Sequence, residues 1–161
     1  MSKFPITKQG FERLKNEIKQ LKSIERPKVI GDIARAREFG DLSENAEYHA
    51  AREKQSFIEG RILDLEDKAA RSEVIDQLKL SGNTVKFGAT VRLIDDDTEE
   101  EHIYHIVGEY EADMSKKLIS ITSPLARAMI GKQGGDIIEV ITPKSTKSFE
   151  ILNVSYNPFE I

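Results

Sequence analysis

The chain has 161 residues, room for one ordinary domain or two small ones, with 39% hydrophobic and 32% charged residues and a formal net charge of -4. That balance suits a soluble, surface-rich, elongated molecule and argues against one built only to coat nucleic acid, which is normally basic. The absence of cysteine excludes a disulfide framework, thiolate metal ligation and a cysteine nucleophile. The opening MSKFPITKQG lacks the apolar core of a signal peptide, and no run approaches the ~18 apolar residues of a membrane span. A cytoplasmic protein with no membrane partner is the expectation.

From residue 7 to about 76 apolar residues recur at intervals of three and four. Leu14, Ile18 and Leu21 form one stripe, continued less regularly by Val29 and Ile33; Ala51, Ile58, Ile62, Leu65 and Ala69 form a second. Two amphipathic helices joined by a short link bury such stripes against each other, which predicts an antiparallel coiled-coil hairpin. Residues 7–39 would span about 50 Å as a helix, a rod rather than a globule. Pro27 cannot donate to the carbonyl of Ser23, so a kink or restart is expected there.

Beyond Asp76 the pattern changes. Residues 77–84 carry loop-forming types and read as a linker. ATVRLID, EHIYHIV, KLISIT, DIIEVIT and SFEILNVSY are short, rich in β-branched residues and partly alternating, the pattern of strands. Among them Ser123 is placed to cap a short helix, with Pro124 in its first position and Gly131 at its end. The predicted class is α+β: a helical hairpin in residues 1–76, then a small strand-rich domain with one short helix in residues 85–161.

The turn of the hairpin, EFGDLSENAEYHAA, is loaded with acids. One explanation is structural. Asp41 and Glu44 have the spacing of a capping box, with Asp41 as N-cap and Glu44 reaching back to its amide, while Gly40 permits the reversal. The other explanation is chemical. Mg²⁺ wants six oxygens, and one or two carboxylates are what a protein adds when phosphates, waters or a partner supply the rest. Such a half-site on a rod suits a two-metal attack on a phosphodiester. The nearby Arg35, Arg37, Arg52 and Lys54 either pair with local acids or contact phosphate; spacing leaves both open.

Two long stretches carry a resemblance. IARAREFGDLSENAEYHAAREKQ with EGRILDLE is similar to the N-terminal hairpin of bacterial Gre transcript cleavage factors. FGATVRL, YHIVGEYEAD, ISITSPLARAMIGKQGGD and FEILNV resemble their C-terminal domain in order and spacing. Within that family, the lack of a strongly basic run in the first helix points to the branch with the less basic hairpin.

The resemblance implies a monomeric, non-enzymatic cofactor that binds backtracked bacterial RNA polymerase. Its coiled coil enters the secondary channel and its FKBP-like C-terminal domain docks at the channel rim. Asp41 and Glu44 match the tip acids that help hold a second Mg²⁺ in the polymerase active site, with none bound by the chain alone. Ser43 matches a position for water or substrate. Arg37 and Arg52 match the patch that contacts the extruded RNA 3′ end, and Ser123, Pro124, Leu125 and Ala126 match the segment that meets the rim. In this scheme the polymerase cleaves the RNA and the factor completes the site.

Other motifs carry less. His102 and His105, three apart in a strand, point to opposite faces, and His49 stands alone on the hairpin. GKQGGD lacks the phosphate-loop spacing and reads as a helix stop and turn. IDDDTEEEH reads as a solvated loop between strands. Phe87, Tyr104, Phe149 and Tyr156 read as core or sheet-face residues. Two rival functions stay open: a channel blocker that does not need the two acids as metal ligands, and a prolyl isomerase or chaperone supported by fold analogy alone.

Overall fold

A computed structural model describes residues 2–161 and divides them into two compact units, one of Glu12–Arg71 and one of Ser2–Phe11 with Ser72–Ile161. The division at Asp76 expected from sequence is thus moved to Ser72, and the second unit also recruits the start of the chain.

The first unit is the helical hairpin. Helix α1 (Lys8–Gln20) passes through a π-helical turn at Leu21–Glu25 into α2 (Arg26–Arg37), and α3 (Ala46–Arg71) returns beside it. Val29, Ile33 and Ala36 of α2 and Ile58, Ile62 and Leu65 of α3 are buried, in the heptad-like rhythm of the sequence. Val29, Ile58 and Ile62 pack together with Leu21 against them. Burying each large aliphatic side chain contributes on the order of 1.5–3 kcal/mol. Polar pairs flank this stripe: Arg26 grips Glu59 through Nε (2.7 Å) and Nη2 (2.8 Å), and Arg61 meets Glu17 at 2.9 Å. Lys22 meets Glu66, also at 2.9 Å.

The disturbance expected at Pro27 takes the form of the π turn. Ahead of the proline the Arg26 N–H reaches back to the Leu21 carbonyl, a five-residue bond, while Gln20, Glu25 and Arg26 keep right-handed helical dihedrals. The wider turn makes room for a ring that can neither donate nor tolerate a close carbonyl.

The second unit holds two sheets. Strand β1 (Phe4–Thr7) lies parallel to β2 (Ser72–Ile75). The sequence assigned residues 7 and 72–76 to helix; the structure corrects both ends, because each strand exists only through a partner distant in the chain. The second sheet comprises β3 (Thr90–Asp95), β4 (Glu101–Val107), β5 (Leu118–Ser120), β6 (Ile137–Ile141) and β7 (Thr146–Ser155), in the order β5-β4-β3-β7-β6. Its pairs are antiparallel except β4 with β5.

Inward positions alternate along these strands as a half-buried sheet requires. Val91, Leu93, Tyr104, Ile106, Ile138, Val140 and Ile151 share one core with Ala126 and Met129 of α4 (Pro124–Met129). Ser123 caps α4 by accepting the Ala126 N–H at 3.3 Å, and Gly131 leaves it with φ +84, as expected. Phe87, Tyr104 and Phe149 are buried, and Tyr156 donates its hydroxyl to the Thr84 carbonyl. Among the described residues no helix is long and apolar enough to cross a membrane.

Candidate functional site: the hairpin tip

Residues 38–45 connect α2 to α3. Glu38 and Phe39 N–H groups close on the carbonyls of Arg35 and Ala36, and Gly40 at φ +117 then turns the chain where a side chain would be strained. Asp41 does not cap α3. Its Oδ1 accepts the Ser43 N–H at 3.0 Å and the Ser43 hydroxyl at 2.9 Å, a closed Asx turn. The N-cap is Asn45, whose Oδ1 accepts the Tyr48 N–H at 3.0 Å. The capping-box interpretation of Asp41 and Glu44 is therefore corrected. The helix begins four residues later than that motif predicts, and neither acid is needed to start it.

The electrostatics follow from these bonds. The Ser43 backbone N–H, and then its hydroxyl, hold the Asp41 carboxyl below the usual carboxylate range. Glu44 is exposed beside it. Together with Phe39, Asn45, Ala46 and Glu47 the two acids line an open depression of about 500 Å³. Among the described residues no three His, Cys, Asp or Glu side chains converge as a metal-ligand set.

Of the basic residues, Arg35 is tied to Asp32, three residues back. The Arg37 guanidinium lies 6.0 Å from the centre of the Tyr48 ring, within the range of a cation–π contact. Arg52 is exposed on α3. His49 is not idle, since its Nε2 lies 3.2 Å from the Ser43 carbonyl and ties that residue to the first turns of α3.

In the second unit, Ser123, Pro124 and Leu125 line a groove of about 410 Å³ with Met114, Leu118 and Ile119 among its walls. Ala126 is the exception among the four residues assigned to contact. It is wholly buried, its side chain in the core, so it supports that surface from beneath.

Sequence reasoning passed over Asn45 and set His49 aside as alone on the hairpin, where the structure gives it the Ser43 carbonyl. Asn45 had a signal, an amide directly before the helical run AEYHAA, but the Asp41-x-x-Glu44 spacing offered a competing cap. Glu111 was missed altogether. It is buried, and its Oε2 accepts the Thr7 N–H at 2.7 Å while its side chain lies where a Cβ on Gly10 would intrude.

A carboxylate-tipped helical hairpin carried in one chain with a five-stranded α+β unit defines a distinct class of two-unit protein. Residues 4–74 match the family model described as transcription elongation factor, N-terminal, and residues 80–156 the model for the GreA/GreB C-terminal domain. The chain is 64% identical over 160 residues to transcription elongation factor GreA of Rickettsia typhi, covering 99% of each chain. It is 62% identical over 156 residues to GreA of Beijerinckia indica, covering 97% of this chain and 99% of that one. A solved GreA/GreB elongation factor from Nitrosomonas europaea shares 27% identity, with 96% of this chain and 100% of that one covered, at a TM-score of 0.43. The chain belongs to the GreA/GreB family of transcription elongation factors.

Proposed function

We propose that this elongation factor binds backtracked bacterial RNA polymerase, passes its hairpin into the secondary channel and completes the polymerase's Mg²⁺-dependent site for cleaving the RNA 3′ end. The observation that carries this proposal is the tip. Two acids are exposed at the reversal of the hairpin, one of them held in place by two bonds from Ser43, and neither is required as the helix cap.

The donor set suits a hard cation. Carboxylate oxygens are proper ligands for Mg²⁺, and two carboxylates leave most of an octahedral shell to be filled by polymerase, phosphate and water. When bound there, the ion would polarise a water for attack on the phosphodiester. Asp41 and Glu44 would each present an oxygen to it. Ser43 serves by orienting the Asp41 carboxylate through its N–H and its hydroxyl, the latter already committed to that carboxylate. Arg37, braced over Tyr48, and Arg52 would take phosphates of the extruded RNA. The groove at Ser123, Pro124 and Leu125 offers an apolar surface for the channel rim. The net charge of -4 fits a main partner that is protein. On this account the chain contributes ligands and placement, and the polymerase is the enzyme.

The test is release of short RNA from a stalled, backtracked elongation complex with and without the protein. Accelerated release in Mg²⁺ supports the proposal. Binding to polymerase without any acceleration would replace it with the channel-blocking function.

A further inference from the structure

The acids at the tip have little packed structure behind them, yet a carboxylate must stand within about 0.5 Å of its working position to serve as a ligand. Something other than burial must hold them. Asn45 makes two side-chain bonds, one across to the other arm of the hairpin and one to the first turn of its own helix. Its Nδ2 donates to the Ala36 carbonyl at 2.6 Å, and its Oδ1 accepts the Tyr48 N–H at 3.0 Å. Ala36 is the last buried residue of α2, and its carbonyl also receives the Phe39 N–H at 3.1 Å. One side chain thereby ends α2, begins α3 and closes the loop that carries Asp41, Ser43 and Glu44.

We propose that Asn45 is a positioning residue for the cleavage site, clasping the end of α2 to the start of α3 so that Asp41 and Glu44 are presented in a fixed arrangement. The inference rests on the function proposed above. The Asn45 amide offers its donor and its acceptor on two separate atoms, which lets it hold Ala36 and Tyr48 at once. Aspartate keeps the acceptor and caps about as well, but sets a carboxylate against the Ala36 carbonyl. Serine also caps and is too short to reach across. His49, holding the Ser43 carbonyl from the next turn of α3, is the second point of the same support.

The test compares Asn45→Asp and Asn45→Ser with the parent in two ways. In the free protein, amide hydrogen exchange should stay slow at Tyr48, whose cap is retained, and rise about tenfold at Ser43 and Glu44 as the loop loosens. In backtracked complexes, half-maximal cleavage should require about ten- to a hundredfold more Mg²⁺, the scale on which loss of an outer support weakens a metal site, at unchanged affinity for polymerase. Unchanged exchange at the tip in both variants overturns the clasp. Loosened exchange with an unchanged Mg²⁺ dependence overturns its role in positioning. If the parent itself fails to stimulate cleavage, the proposed function falls, and the positioning role with it; the exchange measurement then shows whether the clasp alone survives.

Discussion

Ser123, Pro124 and Leu125 stand on a short helix whose other side, Ala126 and Met129, is sunk in the core of the sheet unit. Asp41 and Glu44 stand on a loop with no such layer behind it, held by Ser43, Asn45 and His49 through hydrogen bonds. The first arrangement fixes a surface by packing, which resists many small substitutions as long as volume is kept. The second fixes a site by a few polar bonds, each of which can be removed without unfolding what surrounds it. The proposed entry into a polymerase channel would favour the second kind, since a core behind the tip would thicken it.

The same contrast separates the interiors of the two units, and substitutions can sharpen or break it. Leu93→Ala and Ile62→Ala each remove a fully buried aliphatic side chain, a loss of about 2–5 kcal/mol. Leu93 is enclosed by sheet and helix, whereas Ile62 lies between two helices that can close on the gap. Leu93→Ala is therefore expected to fall higher in that range, seen as the larger drop in urea midpoint. Equal drops would mean the hairpin is as rigidly packed as the sheet unit.

A smaller effect, about 1 kcal/mol, is expected for Ser123→Ala, which deletes the cap of α4 without touching its buried side. The check is again the urea midpoint. A loss as large as that of Leu93→Ala would mean that α4 depends on its cap more than on its packing.

The smallest effect concerns pH. His105 lies against Phe159 with ring centres 4.2 Å apart and its Nδ1 2.8 Å from the Thr90 hydroxyl. Burial holds its pKa below the ordinary 6.5. The unfolded chain thus binds the proton more readily, so this contribution to stability is complete above about pH 6.5 and fades as pH falls through the lower folded value. His105→Gln should flatten the pH dependence of the urea midpoint between neutral and mildly acid solution. A steeper dependence in the variant would contradict the assignment.

Much of this was legible in the residues themselves. The stripe of Val29, Ile33, Ile58, Ile62 and Leu65 was readable because helical burial repeats locally. The five strands of the larger sheet were readable from their β-branched alternation, and α4 from Ser123-Pro124 and Gly131. What escaped depends on partners remote in the chain. Strands β1 and β2 pair the two ends of the hairpin's sequence, and Glu111 meets Thr7 across most of the molecule's length in residues. That Asp41 and Glu44 lie exposed at the reversal was legible in the residues, whereas the bonds that support their loop were not. Nothing in the order of residues says that Asn45 will reach back to Ala36, and a plausible capping box beside it drew the eye away.

The central claim is that Asp41 and Glu44 act as ligands and not as scaffolding. A double variant, Asp41→Asn with Glu44→Gln, keeps size and polarity at both positions and leaves the Asn45 cap in place. It should bind RNA polymerase and compete with the parent for backtracked complexes, with the same helix ellipticity, while RNA cleavage falls by about two orders of magnitude or more, the scale set by loss of a charge-stabilising group. Cleavage at the parent's rate by this variant would contradict the account.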